Sequence, residues 1–360
     1  MKVGIDVSQI VYETGVSWYT ENLVKNLLKI DRENRYLLFG GAVRQADNLK
    51  TKVGSFGGQY QFKSFSVSPV MADKLWNKWH YFPLEIFTGK LDVVHTSDWC
   101  EPWTRASKIT TIHDLSPFLY PEYVTNDRIR NVWAVHKRKY SWVKKEGVKV
   151  IAVSEFTKKD AIEVLGLPEK QIEVVYEAAD EVYQTRAFAE VKKIKDQFGI
   201  RGDYLLFVGT SPRKNLGNTI KAFNLLKNHK NISLVVVGHQ KPEVGGILFV
   251  KSPTNFELSC LYSGALAFVY PSFYEGFGLP VLEAMACGTP VVTSKTSSLP
   301  EVAGRAAVLV KPESPFEIAC GIEEVMKKHK IYEKLGFERV KLFSWEKTAT
   351  DTLKIYQKLS

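Results

Sequence analysis

The sequence predicts an α/β fold with two parallel, helix-flanked sheets, and three observations support this prediction. The 360-residue chain is 45% hydrophobic and 24% charged, an ordinary globular composition that is long enough for two sizeable cores. Short runs rich in β-branched and aromatic residues alternate with amphipathic helical patterns, as in doubly wound sheets. The runs form two successive series with a polar stretch between them, so we expect two domains.

The first series supplies a set of predicted strands bounded by Gly, Pro or polar residues. Between them, apolar residues at helical spacing predict helices, most clearly over residues 16–28 and 156–165. In chain order the strand runs are KVGIDV, RYLLFG, FKSFSV, DVVHTS, KITTIHD, VKVIAVS and IEVVY.

The second series follows a polar stretch over residues 180–201. We therefore place an N-terminal domain at residues 1–185 and a C-terminal domain at residues 186–342, and a last helix over residues 345–359. A ligand cleft between the domains is expected at the carboxyl ends of both sheets. The strand runs of this series are DYLLFVG, ISLVVVG, ILFV, LAFVY, PVVTS and AAVLV.

The charge of the chain points to anionic partners without choosing among them. A formal net charge of +10 and a pI of about 9.2 fit nucleotide diphosphates, an acidic membrane surface or nucleic acid. Cys100, Cys260, Cys287 and Cys320 lack the paired spacing of a zinc site or a redox dithiol. We expect reduced thiols in or near the core and no structural metal.

The start of the chain and its hydropathy bear on localisation. The opening run MKVGIDV has a strand pattern instead of the basic and apolar pattern of a signal peptide. No apolar stretch approaches the length that crosses a bilayer. These features predict a cytoplasmic protein.

The segment PSFYEGFGLPVLEAMACGTPVV, residues 271–292, carries the densest set of candidate site residues. Glu275 lies in the loop after a predicted buried strand, because Pro271 and Ser272 end that strand. Gly276 and Gly278 allow the backbone to approach a ligand closely or to take a positive φ. The loop therefore places a carboxylate beside backbone that a ligand can reach.

A helix is predicted to begin near Leu279 or Pro280, because proline has the fixed φ of a first helical position. The first N–H groups of a helix have no intrahelical partners, so together with the helix dipole they favour phosphate. Glu283 is expected in the first turn, where the dipole also favours its charge. The alternative is an ordinary strand, turn and helix in which Glu275 is solvated.

The full segment resembles the donor-site signature of retaining glycosyltransferases of family 4, in which two glutamates are separated by seven residues, as Glu275 and Glu283 are. The resemblance covers essentially the whole chain, including SEFTKKDAIEVLGLPEKQIEVVY, SSLPEVAG and FSWEKTA. It implies the GT-B architecture, in which two Rossmann-like doubly wound domains face a central cleft. It also implies that the C-terminal helix, residues 343–360, packs back on the N-terminal domain.

The segment FVGTSPRKNLGNTIKAF, residues 207–223, supplies candidate cations. Arg213 and Lys214 lie in a loop after a buried strand, where they would stabilise a departing diphosphate, and Asn215 is predicted to cap the next helix. The segment resembles the family's phosphate-binding loop, with Lys214 at the lysine position. Many members have an arginine where this chain has Thr210, so Arg213 or another residue is left to supply the second cation. The alternative is two solvated cations beside a helix start.

A histidine at a strand end is the third candidate. His113, in TTIHDLSPFLYPEYV, can donate a hydrogen bond to a sugar hydroxyl, and it resembles the family's donor-sugar histidine. Asp114 is expected to orient it or to serve separately. The alternative is a histidine satisfied by local backbone, and His95 is predicted to be structural.

Two further segments carry weaker signals. Gly15 is predicted to form a tight turn after the first strand, where backbone can approach phosphate or the acceptor. Residues 71–83 place Trp76 and Trp79 near one helical face with Lys74 and Lys78 beside them, and residues 128–145 add more basic side chains. This pattern fits an interfacial surface for anionic lipids, and core packing with a solvated basic edge fits it as well.

The resemblance implies a reaction and roles for the candidate residues. A retaining enzyme of this family would move a hexosyl group, mannose or glucose, from a GDP- or UDP-linked donor to a glycan or lipid-linked acceptor. No cofactor, metal or nucleic acid is implied. Glu275 would contact the donor sugar, Glu283 the ribose, and His113 the sugar from the N-terminal domain. Donor phosphates and sugar would be held by Gly15, Thr210, Arg213, Lys214, Gly276, Phe277, Gly278 and Leu279.

Two other classes of protein remain open at this point. Nucleotide-sugar epimerases and phosphorylases share the two-domain architecture, although the quoted segments fit a transferase better. A non-catalytic basic scaffold or a nucleic-acid binder would explain the net charge, but it gives no reason for the two glutamates.

Overall fold

The computed structural model describes residues 1–97, 99–120, 127–226, 231–239 and 247–359, and for residues 127–131 it describes the backbone alone. The chain divides into two compact units. The first comprises Met1–Glu177 together with Trp345–Ser360, and the second comprises Ala178–Ser344. Each unit has its own parallel sheet flanked by helices, so the predicted fold class is confirmed.

The first unit is built on a seven-stranded parallel sheet. Its strands are β1 (Lys2–Asp6), β2 (Arg35–Gly41), β3 (Tyr60–Phe65), β4 (Val93–Thr96), β5 (Ser107–Ile112), β6 (Lys149–Ala152) and β7 (Ile172–Val174). They lie in the order β3-β2-β1-β4-β5-β6-β7, and every pairing is parallel.

The helices of the first unit cover both faces of this sheet, as short parallel strands require. They are α1 (Gly15–Ile30), α2 (Ala46–Gly54), α3 (Pro69–Ala72), α4 (Glu85–Thr88), α5 (Ser116–Leu119), α6 (Asp127–Lys145) and α7 (Glu155–Leu165). A 3-10 turn, Ser8–Tyr12, precedes α1, and a π-helix, Asp73–Trp79, continues α3.

The second unit is built on a six-stranded parallel sheet in the order β10-β9-β8-β11-β12-β13. These strands are β8 (Asp203–Val208), β9 (Ile232–Gly238), β10 (Leu248–Lys251), β11 (Ala267–Tyr270), β12 (Val291–Ser294) and β13 (Ala307–Val310). The helices are α8 (Phe188–Gln197), α9 (Leu216–Leu225), α10 (Asn255–Ser263), α11 (Leu279–Ala286), α12 (Leu299–Ala303), α13 (Pro315–Lys327) and α14 (His329–Val340).

The last helix, α15 (Trp345–Leu359), returns to the first unit and packs against α1. The phenol of Tyr356 hydrogen-bonds Nδ1 of His95 at 2.6 Å, and the other ring nitrogen contacts the Thr111 hydroxyl at 2.8 Å. Burial lowers the pKa of His95 to about 3, so this histidine is neutral at physiological pH. The predicted structural role of His95 fits these contacts.

The cysteines follow the prediction except at one position. Cys100, Cys260 and Cys287 are buried, whereas Cys320 is exposed. Cys320 lies on the outward face of α13, whose core face is formed by Ile318 and Ile322. Cys320 is exposed because the helical period places it on the opposite side of α13 from these two residues. The scattered spacing of the cysteines in the sequence did not reveal this.

The hydroxyl of Tyr356 gives a test of how much the returning helix stabilises the fold. Tyr356→Phe leaves His95 Nδ1 buried without its partner, so we expect a lower midpoint of thermal unfolding, equivalent to about 1–3 kcal/mol. Tyr81→Phe is the matched control, because the Tyr81 side chain is exposed. Equal midpoints for the two variants would show that the hydrogen bond to His95 contributes nothing.

Candidate functional site

Two loops of the second unit meet at the carboxyl edge of its sheet. One follows β8 and contains a 3-10 turn, Pro212–Lys214, and the other follows β11 and leads into α11. β8 and β11 are sheet neighbours although β9 and β10 separate them in sequence. The backbone N–H of Phe273 donates to the carbonyl of Arg213 at 2.9 Å and joins the two loops. In open parallel sheets, such a reversal of strand order is where ligands bind.

The loops bring together three charged side chains, Arg213, Lys214 and Glu275, which we call the ion triad. Arg213 Nη1 lies 2.8 Å from one carboxylate oxygen of Glu275, and Lys214 Nζ lies 2.6 Å from the other. Arg213 Nη1 also donates to the carbonyl of Tyr274 at 2.9 Å, and Lys214 Nζ donates to the hydroxyl of Tyr270. The carboxylate is nearly inaccessible to solvent, whereas both cations are partly exposed.

The ion triad keeps Glu275 ionised. Burial by itself raises the pKa of a carboxyl group, but the charges of Arg213 and Lys214 and their hydrogen bonds lower that of Glu275 to about 2. The alternative of a solvated Glu275 is therefore wrong. Two cations and one carboxylate leave a local excess of positive charge, which suits an anionic ligand.

Neighbouring residues fix the position of Lys214. Gly209 has φ of +96°, and a Cβ at this position would lie only 3.1 Å from Lys214 Cγ, so the lysine stem passes over the glycine. Asn215 follows, and the structure corrects its predicted role. Its side chain does not cap α9 but donates to the carbonyls of Pro271 and Pro312, at 3.0 and 2.6 Å. The backbone of Asn215 has φ of +69°, which turns the side chain away from the helix start.

The loop after β11 enters α11 at Leu279, as predicted. Gly278 precedes the helix with φ of +110°, and a Cβ there would lie 2.8 Å from a Leu299 methyl group, so only glycine fits. The hydroxyl of Ser298 donates to the carbonyls of Glu275 and Phe277, at 2.9 and 2.7 Å. The loop is thereby held with backbone N–H groups near the helix start, where an anion is favoured.

Glu283 lies one turn further along α11 than expected. It is the fifth residue of the helix, so the dipole of the first turn is not what holds it. The hydroxyl of Tyr262 donates to its carboxylate at 3.1 Å. Burial and the nearby charge of Asp180 raise the pKa of Glu283 to about 7, although the hydrogen bond from Tyr262 and the charge of Lys214 act in the opposite direction.

Thr210 occupies the position at which family members often have arginine. It packs against the end of β9, since a Cβ on Gly238 would lie 2.7 Å from Thr210 Cγ2. The second cation beside the carboxylate is Arg213, which lies one residue before Lys214.

In the first unit, neighbouring side chains hold the strand-end histidine. His113 Nδ1 lies 3.2 Å from a carboxylate oxygen of Glu177, and Nε2 lies 3.1 Å from the Ser97 hydroxyl. The ring of Tyr19 packs against it edge-on, with 4.6 Å between ring centroids. Asp114 does not orient the ring, because it accepts hydrogen bonds from the backbone and hydroxyl of Ser116 instead.

The predicted turn at Gly15 is wrong. The 3-10 turn Ser8–Tyr12 lies between β1 and α1, and Gly15 is the first residue of the helix instead of a turn residue. Thr14 caps α1, accepting from the Ser17 N–H, and the Ser17 hydroxyl accepts from the Thr14 N–H. A Cβ at Gly15 would meet no atom within 4 Å, so the position is open.

The part of the chain that the structure describes, residues 1–97, 99–120, 127–226, 231–239 and 247–359, contains neither a metal cluster nor a membrane-spanning helix. Among them, no group of three or more His, Cys, Asp and Glu side chains is arranged to hold a metal ion. Within the same ranges, no helix combines the length and the apolar character needed to span a bilayer.

Comparison with known proteins identifies the family. Residues 14–182 match the family described as Glycosyltransferase Family 4, and residues 190–338 match the family described as Glycosyl transferases group 1. The O-antigen chain mannosyltransferase B of Escherichia coli is 30% identical over 388 residues, and the match covers 100% of both chains. The chain belongs to glycosyltransferase family 4. The predicted transferase is confirmed, and the epimerase, phosphorylase and non-catalytic alternatives are set aside.

Solved glycosyltransferase structures share the fold. Sucrose-phosphate synthase from Thermosynechococcus elongatus has a TM-score of 0.74 at 18% identity, over 100% of this chain and 99% of its own. HepE of Anabaena, solved with UDP and glucose, has a TM-score of 0.72 at 15% identity, over 99% of this chain and 100% of its own. The predicted GT-B architecture is confirmed at the level of fold.

Sequence reasoning missed several residues that hold the glycosyltransferase's candidate groups. Glu177, the partner of His113, follows β7 by a few residues, and Tyr270, the partner of Lys214, is the last residue of β11. The rule that polar groups at strand ends gather at one edge, which singled out His113, could have found both. Ser298 carried no such signal, because it precedes a short helix.

The raised pKa of Glu283 predicts a pH-dependent effect of substitution. The folded state binds this proton more tightly than the unfolded chain, so wild-type stability falls as pH rises from the usual carboxyl pKa towards about 7. Glu283→Gln removes that loss, and the glutamine oxygen can still accept from Tyr262. We expect the variant to gain about 1–3 kcal/mol at pH 8 and almost nothing at pH 5, measured by thermal unfolding at both pH values.

Glu317→Gln serves as the control for this experiment, since Glu317 is a surface carboxylate of the same unit paired with Lys295 and Lys311. It should give no stabilisation at pH 8. A gain for Glu283→Gln that is equal at pH 5 and pH 8 would contradict the assignment.

Proposed function

We propose that this glycosyltransferase transfers a mannosyl group from a nucleotide diphosphate sugar to a growing polysaccharide of the O-antigen type, with retention of anomeric configuration. The observation that carries the proposal is the ion triad beside the start of α11. Mannose and the polysaccharide acceptor are taken from the Escherichia coli mannosyltransferase that matches the chain from end to end. Glucose is the second sugar to test, and GDP and UDP are the nucleotides.

Arg213 and Lys214 are proposed to neutralise the leaving diphosphate. The bond between C1 of the sugar and the phosphate oxygen breaks with its electron pair on the diphosphate, so negative charge grows there. A fixed guanidinium and ammonium, with the backbone N–H groups of residues 276–279, stabilise that charge without reorganisation. The N–H groups are those of Gly276, Phe277, Gly278 and Leu279.

Glu275 and His113 are proposed to act at the sugar. Positive charge develops at C1 as the leaving group departs, and the ionised Glu275 carboxylate stabilises it while contacting the sugar hydroxyls. The acceptor oxygen bonds to C1 on the same face, and its proton passes to a departing phosphate oxygen. His113, oriented by Glu177, donates a hydrogen bond to a sugar hydroxyl.

Glu283 is proposed to accept hydrogen bonds from the two ribose hydroxyls, a role that requires its ionised form. Thr210 and Gly15 are proposed to lie against the donor through their backbone, and neither supplies charge. Catalysis is proposed to proceed without a metal cofactor, because the two cations and the helix N-terminus meet the charge of the diphosphate.

The protein is proposed to work at the cytoplasmic face of a membrane, where lipid-linked glycans are available. Trp76 is buried, so this part of the surface predicted over residues 71–83 is core packing. Trp79 is exposed, and so are Lys74 and Lys78 beside it. Apolar side chains near them in sequence are exposed as well, and this combination suits contact with anionic lipids; they are Val70, Met71, Tyr81 and Ile86.

The ion triad gives the principal test of the proposed function. The donor is first identified by thermal shift against GDP-mannose, UDP-glucose and related nucleotide sugars, since a bound ligand raises the midpoint of unfolding. With that donor, Lys214→Ala and Glu275→Gln are each expected to lower kcat by about 10²–10³, because each removes a group that meets charge in the transition state.

Lys311→Ala is the control for these variants, since Lys311 is exposed and pairs only with the surface carboxylate of Glu317 among the described contacts. It should transfer sugar at the wild-type rate. Wild-type turnover by both folded triad variants would exclude this site.

The membrane proposal is tested by co-sedimentation with vesicles. Binding to phosphatidylglycerol vesicles, and none to phosphatidylcholine vesicles, is expected for the wild type. Replacing Lys74 and Lys78 together with glutamine should weaken binding by about 2 kcal/mol. Phe316→Ser, an exposed apolar residue of the second unit, is the control. Equal binding by the lysine variant and the control would contradict the assignment of this surface.

A further inference from the structure

We propose that Glu275 and the diphosphate of the donor compete for Arg213 and Lys214, so that the arriving diphosphate releases the carboxylate towards the sugar. The inference rests on the proposed function and adds an order of events to it. The cations are paired with the carboxylate in the structure, and the same cations are the ones that the diphosphate needs.

The contacts of Glu275 show what the competition involves. Each carboxylate oxygen accepts from one cation, at 2.8 Å from Arg213 Nη1 and 2.6 Å from Lys214 Nζ. The carboxylate is therefore turned towards the cations, and its strongest acceptor positions are in use. A sugar hydroxyl is a neutral donor and binds a carboxylate more weakly than a cation does, so a sugar alone does not draw the carboxylate away from Arg213 and Lys214.

The diphosphate is able to displace the carboxylate. It carries more negative charge than one carboxylate, and the ion triad has a net positive charge. The exposed side-chain fractions are 24% for Arg213, 14% for Lys214 and 7% for Glu275, so an incoming anion meets the cations before the carboxylate. Burial of Glu275 also means that its charge is costly when unpaired, so a released carboxylate must find new donors.

The cations stay in place during this exchange because other groups hold them. Lys214 passes over Gly209, and its Nζ donates to Tyr270 and lies 4.7 Å from the centroid of that ring. Arg213 Nη1 keeps its bond to the Tyr274 carbonyl. The carboxylate of Glu275 is thus the partner that moves, and the sugar hydroxyls are the donors that it reaches.

The test measures the affinity of inorganic pyrophosphate by isothermal titration calorimetry, because this probe contains neither sugar nor ribose. Glu275→Gln removes the competitor and should bind pyrophosphate about tenfold more tightly than wild type, although it loses transferase activity. Glu275→Asp keeps the negative charge but shortens the side chain, so it cannot reach both cations. It should also bind pyrophosphate more tightly.

Glu317→Gln is the matched control, since Glu317 is a carboxylate of the same unit that lies near two lysines at the surface. Its pyrophosphate affinity should equal that of wild type. Thermal unfolding establishes that each variant is folded at the temperature of titration, and the Asp variant carries the test if the Gln variant is not folded.

Two results would overturn the inference. Equal or weaker binding by Glu275→Gln would show that the carboxylate does not compete. Tighter binding by the Gln variant with wild-type binding by the Asp variant would show simple repulsion between charges instead of competition for contacts. Failure of the proposed function looks different, because then wild type binds neither pyrophosphate, GDP nor UDP and transfers no sugar from any donor.

Discussion

Removing Glu275 from water is favourable only because Arg213 and Lys214 each bind one of its oxygens. The loops after β8 and β11 must therefore lie close enough for these side chains to contact one another. They do so because β8 and β11 are neighbours in the sheet. Buried Asn215 and Ser298 bind backbone carbonyls around the same point and hold both loops. The strand order brings the two loops together at the carboxyl edge of the sheet, and the net positive charge of the ion triad makes that edge suitable for binding an anion.

The fold itself was accessible from the sequence because its signals are local. Parallel strands buried on both faces read as continuous apolar runs, and every predicted run overlaps an observed strand, from β1 to β13, with the largest offset at β3. Pro280 marked the start of α11 to within one residue, since a proline fits the first turn of a helix. The last helix was predicted over about residues 345–359, after the second series of strands, and is observed over Trp345–Leu359.

Contacts between residues that are far apart in the sequence were harder to predict. Lys214 and Glu275 are 61 positions apart, and His113 and Glu177 are 64 apart, so their pairing depends on which strands are neighbours. Local rules also gave way to long-range bonds. Asparagine is a residue type that often caps helices, but the side chain of Asn215 donates to the distant carbonyls of Pro271 and Pro312. Asp114 is the acidic residue nearest to His113 in sequence, but its carboxylate accepts a hydrogen bond from the backbone N–H of Ser116 instead.

The return of α15 to the first unit affects how the protein is made. The second unit is one continuous stretch, Ala178–Ser344, and its whole sequence leaves the ribosome before Trp345. The first unit begins earlier but is completed only when α15 emerges, because the Tyr356 hydroxyl that hydrogen-bonds His95 lies on that helix. The second unit can therefore finish folding first, while the nascent first unit keeps the surface of α1 uncovered until α15 has been synthesised.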